Sequence, residues 1–78
     1  MHLEIITPDK KLYSGEVKAI FVLGIDGFLG ILNRHAPLIS SLKNGVVKVT
    51  DNKQAVHNFE INGGVIEVLN NKVIVLAE

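Results

Sequence analysis

The sequence predicts an all-β chain: a small antiparallel β-sandwich of about eight to ten short strands in two sheets. Apolar residues recur at every second position, the spacing that puts them on one face of a strand. Glycine, asparagine and aspartate interrupt those runs at intervals of about 8 to 12 residues, where turns are expected. No stretch sustains a 3.6-residue period, and the many β-branched valines and isoleucines disfavour helix.

Leu3 and Ile5 flank Glu4 in the first run, and Thr7-Pro8-Asp9-Lys10 supplies a turn. Glu16 to Leu23 is the longest strand, with Val17, Ala19, Phe21 and Leu23 expected on one face. Asp26-Gly27 predicts a tight hairpin, because both residues tolerate positive φ. Phe28 to Leu32 returns as a strand, and an irregular Asn33-Arg34-His35-Ala36 link leads to another over Pro37 to Leu42. Asn44-Gly45 is read as a second tight turn into Val46 to Thr50, and Asp51-Asn52-Lys53 as a third. The run from Ala55 places His57, Phe59 and Ile61 on one side, and Asn62-Gly63-Gly64 is expected to break it. Val65 to Leu69 and Val73 to Ala77 are joined by Asn70-Asn71, a further short hairpin.

Seventy-eight residues make one domain, 1–78, with no visible repeat or linker. A domain this small buries only about 60% of its unfolded surface. Yet 47% of its residues are hydrophobic and 21% charged, so part of the apolar surface is expected to face partner proteins. Eight basic residues balance eight acidic ones, and the basic patch of a nucleic-acid or anionic-membrane binder is missing. No uninterrupted apolar stretch is longer than Ala19 to Leu23, far short of the roughly 20 residues of a spanning helix. No secretory signal pattern opens the chain. Cysteine is absent, which removes disulfides and thiol chemistry and fits a cytoplasmic setting.

Nothing in the pattern assembles a catalytic, cofactor or metal site. His2, His35 and His57 lack metal-ligand spacing, and Ser14, Ser40 and Ser41 lie outside a nucleophile-elbow context. Gly24-Ile25-Asp26-Gly27-Phe28-Leu29-Gly30 is glycine-rich, but no Gly-Lys-Ser/Thr follows and no helix pattern begins there. It reads as a hairpin with a bend. The aromatics Tyr13, Phe21, Phe28 and Phe59 are dispersed, unlike a stacking platform for single strands. A binding module is expected, without cofactor or small-molecule substrate.

Asp26-Gly27, Leu29-Gly30-Ile31 and His35-Ala36-Pro37-Leu38 carry a specific resemblance. In type, order and spacing they are similar to the signature region of the F-type ATP synthase epsilon subunit, called delta in mitochondria. Leu12-Tyr13-Ser14-Gly15, Ile61-Asn62-Gly63-Gly64 and the closing Val73 to Glu78 extend the likeness along the chain. Phe28 stands where the family is often polar or acidic, and Asn33-Arg34 where it often has proline or glycine.

The resemblance implies a non-catalytic rotor component of the central stalk, with the gamma subunit and the c-ring as partners and no direct insertion into the membrane. It places the chain peripherally on the cytoplasmic side of the bacterial inner membrane. The ring-facing residues it implies are Asp26, Gly27, Phe28, Leu29, Asn33, Arg34, His35, Ala36, Pro37 and Leu38. Most members continue into a two-helix C-terminal domain that restrains hydrolysis. The sequence ends at Glu78, so that hairpin and that restraint are expected to be absent. Two other all-β classes of this size fit less well. A biotinyl or lipoyl carrier would need acidic or methionine residues on both sides of its lysine, whereas Lys10-Lys11 has only Asp9 before it and Leu12 after it, and an oligonucleotide-binding barrel would need a basic groove.

Overall fold

A computed structural model describes residues 1–78. It contains six strands and no helix: β1 (His2–Ile6), β2 (Lys11–Gly24), β3 (Gly27–Leu32), β4 (Leu38–Asp51), β5 (Val56–Leu69) and β6 (Lys72–Ala77). The chain is all-β, as its pattern predicts, but the strands are fewer and longer than eight to ten. The difference arises at two expected interruptions. Asn44-Gly45 does not turn, and Asn62-Gly63-Gly64 does not break its strand. The two segments lie opposite each other inside one hairpin with arms of 14 residues each. Its register is the same on both sides of them, from Leu38↔Val68 through Leu42↔Gly64 and Asn44↔Asn62 to Thr50↔Val56. Gly63 (φ 115°) and Gly64 (φ 148°) adopt backbone that other residues rarely do. A Cβ at Gly64 would collide with the Leu76 carbonyl oxygen. The glycines let β4 and β5 bend, and each arm then serves both layers of the sandwich.

The pairings run β1-β6-β5-β4-β2-β3, and a further β1–β2 pairing closes five of the strands into a ring. All pairs are antiparallel except β1–β6, which is parallel. β2 changes partners along its length, with β1 on residues 11–16 and with β3 and β4 on residues 17–24. Between Val17 and Ala19 its register slips by one residue. This β-bulge reverses the facing of everything beyond it. Val17, Ile20 and Val22 are therefore buried, whereas Phe21 is 46% exposed. The expected face of Val17, Ala19, Phe21 and Leu23 is thus divided.

Turns follow local chemistry more closely. Asn70 and Asn71 take φ of 51° and 60°, the type I′ pattern of a two-residue hairpin. Asp51 Oδ1 accepts from Lys53 N at 2.8 Å and Ala55 N at 3.0 Å, closing the β4–β5 turn. The β2–β3 hairpin shifts by one position. Its turn residues are Ile25 and Asp26, and Gly27 (φ 129°) opens the next strand.

The core holds 16 apolar residues and no buried polar side chain. Leu3, Ile5, Ile20, Ile31 and Ile66 are its largest fully enclosed members. At its margins, histidine–carboxylate contacts join neighbouring segments. His2 Nδ1 lies 3.0 Å from Glu16 Oε2, and its Nε2 lies 3.3 Å from Glu4 Oε2. His57 Nε2 lies 2.9 Å from Asp51 Oδ2. The hydrogen bond from His2 holds the Glu4 carboxyl below the usual carboxylate range, against a smaller opposing effect of desolvation. His57 does the same for Asp51, helped by the Ala55 and Lys53 amides.

Ile66→Ala should cost about 2–5 kcal/mol in urea unfolding, whereas Phe28→Ala, at a side chain 85% exposed, should stay within about 0.5 kcal/mol. Gly64→Ala should unfold the β5–β6 pairing. Both carboxyls have depressed folded pKa values, so their stabilisation is present above the unfolded value of about 4 and is lost as pH falls through the folded one. Stability followed by tryptophan-free probes such as far-UV circular dichroism should drop in acid, and Asp51→Asn should flatten that slope.

Candidate functional site

β3 organises the predicted contact residues, and it holds them apart. Asp26 sits exposed in the turn before it, and Asn33 and Arg34 sit exposed just beyond its other end. Six residues at ~3.3 Å each put roughly 20 Å between the two loops. They frame one edge of the sheet and do not form a single tip. Alternation then sorts the residues between. Phe28 projects into solvent, whereas Leu29 turns inward and, half-buried, packs against the core. Leu38 is likewise half-buried on the core, while Ala36 and Pro37 are exposed.

The Asn33–Pro37 link is built from short-range bonds. Arg34 takes φ 62°, and its N–H donates to Asn71 Oδ1 at 2.8 Å, tying the link to the β5–β6 turn. Asn33 Oδ1 accepts from the Met1 amino group at 2.7 Å. His35 N donates to Leu32 O at 3.2 Å, and His35 Nδ1 pairs with Ala36 O at 2.7 Å. His35 therefore orders its own loop. At the other end of β3, Ile25 N donates to Ser41 O at 2.9 Å and anchors the first turn on β4.

The larger feature is apolar surface on both outer faces. Cross-strand neighbours share a face, so the registers identify the rows. On the β3–β2–β4 side, Leu23 lies beside Phe28, Phe21 beside Gly30, and Ala19 beside Leu32. A Cβ at Gly30 would come within 3.1 Å of the Phe21 ring, so the missing side chain leaves room for it. On the other side, Val65, Leu76 and Ile6 form one row across β5, β6 and β1. Ile39 and Ile74 flank Glu67 in the next row. Ten large hydrophobics are exposed in all, against 16 residues in the core. The high apolar fraction hinted at such surface; that Phe21 belongs to it depended on the bulge in β2.

Reactive groups do not converge. No cluster of three histidine, cysteine or acidic residues is placed to hold a metal. The His57–Asp51 pair was not foreseen from sequence. Tyr13 leans on it with ring centroids 5.3 Å apart, and burial with the Asp51 charge raises the Tyr13 pKa. No hydroxyl hydrogen-bonds to the pair, which serves to close the β4–β5 turn. The glycine-rich stretch from Gly24 to Gly30 is turn and strand, with no helix end for a phosphate.

Comparison with known proteins agrees with this architecture. Residues 1–78 match the family model described as ATP synthase, Delta/Epsilon chain, beta-sandwich domain. The ATP synthase epsilon chain of Chlorobium limicola is 42% identical over 76 residues, covering 97% of this chain and 86% of that one. That of Leptospira borgpetersenii is 40% identical over 78 residues, of whose length the chain spans 61%. Among solved structures, a chain of the Euglena gracilis mitochondrial ATP synthase (OSCP/F1/c-ring) superposes with a TM-score of 0.90 at 22% identity, covering 96% of this chain and 48% of that chain. A chain of the Tetrahymena thermophila central stalk and c-ring gives 0.83 at 20% identity, covering 99% and 62%. Those two establish the fold, and the family match with the close relatives establishes descent: the chain belongs to the beta-sandwich family of ATP synthase delta and epsilon chains.

Proposed function

We propose that the chain is a non-catalytic rotor subunit of an F-type ATP synthase, a wedge that joins the gamma subunit to the c-ring and carries ring rotation to the shaft. The observation behind this reading is the placement of apolar surface outside a stiff, cross-paired sandwich. A mechanical coupler needs contact area and shape fidelity more than reactive groups. The descriptions of the structural relatives, a central stalk and a c-ring, support the same setting. Such a subunit sits peripherally on the cytoplasmic side of the bacterial inner membrane.

Gripping two bodies at once requires two separated surfaces. The β1–β6–β5 face, with Ile6, Val65 and Leu76, lies on the layer that lacks β3, and we assign it to gamma. The rim framed by Asp26–Phe28 and Asn33–Pro37 is then left for the polar loops of the ring. Phe28 makes that contact more apolar, and Arg34 adds a cation at its far end.

Leu76→Glu, at a side chain 53% exposed, should abolish co-purification with gamma while leaving the unfolding midpoint unchanged. Phe28→Asp and Arg34→Glu should spare gamma binding but weaken retention on the ring and lower proton-driven ATP synthesis in membrane vesicles. Full coupling and intact assembly in all three variants would refute the assignment.

A further inference from the structure

Sheet edges invite further strands, and most free edges of this molecule are protected. The first half of β5 carries His57 and Glu60 and is overlaid by Tyr13, whose ring contacts His57 and Phe59. The edge at the start of β4 is short, since β2 takes over from Leu42, and it follows directly on Pro37. β3 is different. It pairs with β2 alone, its register has no bulge, and Gly-Phe-Leu-Gly-Ile-Leu contains neither charge nor proline. The bridge Gly24↔Gly27 closes a two-residue turn, so that pair is hydrogen-bonded and alternation directs the amides of Phe28, Gly30 and Leu32 outward. Outside the strand ladders, the one backbone bond on this edge is His35 N–H to Leu32 O.

We propose that this edge pairs with the same edge of a second copy of the chain. Antiparallel β3–β3′ pairing with Gly30 on the two-fold axis is self-complementary. Phe28 comes opposite Leu32 of the other copy, and Leu29 opposite Ile31. In the same register the turn holding Asp26 of each copy comes to the same end as the turn holding Arg34 of the other, which brings opposite charges together at both ends. Both residues are exposed, and no ion pair engages either within the chain. An isologous interface needs this reciprocity. On the reading above, the paired residues include those that meet the ring, so the dimer is a form of the unassembled chain.

Sedimentation equilibrium of the isolated chain should show dimer at about 100 µM, as fits an interface at the small end of the range. Asp26→Arg or Arg34→Asp alone should weaken association at least about fivefold, and the double reversal should restore it. Gly30→Cys, made together with Phe21→Ala because a Cβ at position 30 would meet the Phe21 ring, gives the chain a single cysteine, and a hydrogen-bonded antiparallel pair sets its Cα atoms about 5.5 Å apart, within disulfide reach. Mild oxidation should therefore link two chains through Cys at this position, whereas Val46→Cys on the outer face should not. A wild-type chain that stays monomeric, or a dimer that ignores charge reversal and fails to link at position 30, overturns the proposal.

Discussion

The bend shared by β4 and β5 is the constraint on which the rest of the molecule depends. A hairpin of this length would run as one continuous twisted ribbon if its backbone were regular throughout. Gly63 and Gly64, set between the pairs Leu42↔Gly64 and Asn44↔Asn62, allow it to fold over itself. Glu78 N–H then bonds Gly63 O at 3.0 Å, fastening the end of the chain across the bend. With both layers sharing the same two strands, neither layer can move far without straining the hairpin. β1 and β6 fill the remaining gap, and their parallel pairing is what lets β1 reach both β6 and β2.

This architecture spends most of the chain on pairing and little on interior. The core is one layer of aliphatic side chains with no polar member. Its stabilisation is non-directional, and cross-strand hydrogen bonds supply the geometry. What remains of the hydrophobic residues must lie outside. In an isolated monomer that is a liability. In a subunit held between larger bodies it becomes contact area, and the separation of the two outer faces permits two partners at once.

The two loops expected to carry the contact were legible in the sequence, but their arrangement was not. Asp26-Gly27 and His35-Ala36-Pro37-Leu38 mark two loops, and both are present. Their distance follows from β3 being a straight, fully paired strand between them. Leu29 was grouped with Phe28 because it neighbours it in the signature, yet pleating sends the two to opposite sides. The His57–Asp51 pair, by contrast, needed only the turn between β4 and β5 to form, but nothing in the spacing of two ordinary surface residues distinguishes it.

Local chemistry by itself determined that the chain is all-β, that Asn70-Asn71 and the Asp51 turn reverse it, and which of its residues are too apolar to stay in water. Those properties belong to a residue and its near neighbours. Tertiary structure alone decided that Asn44-Gly45 and Asn62-Gly63 bend and do not turn, that β2 slips at Lys18, and that Phe21 faces outward. Glycine and asparagine admit either conformation, and the energy that selects one comes from the strand lying opposite. A single-residue slip reverses which side is buried, so the division between core and contact surface is settled only when the strands have found their partners.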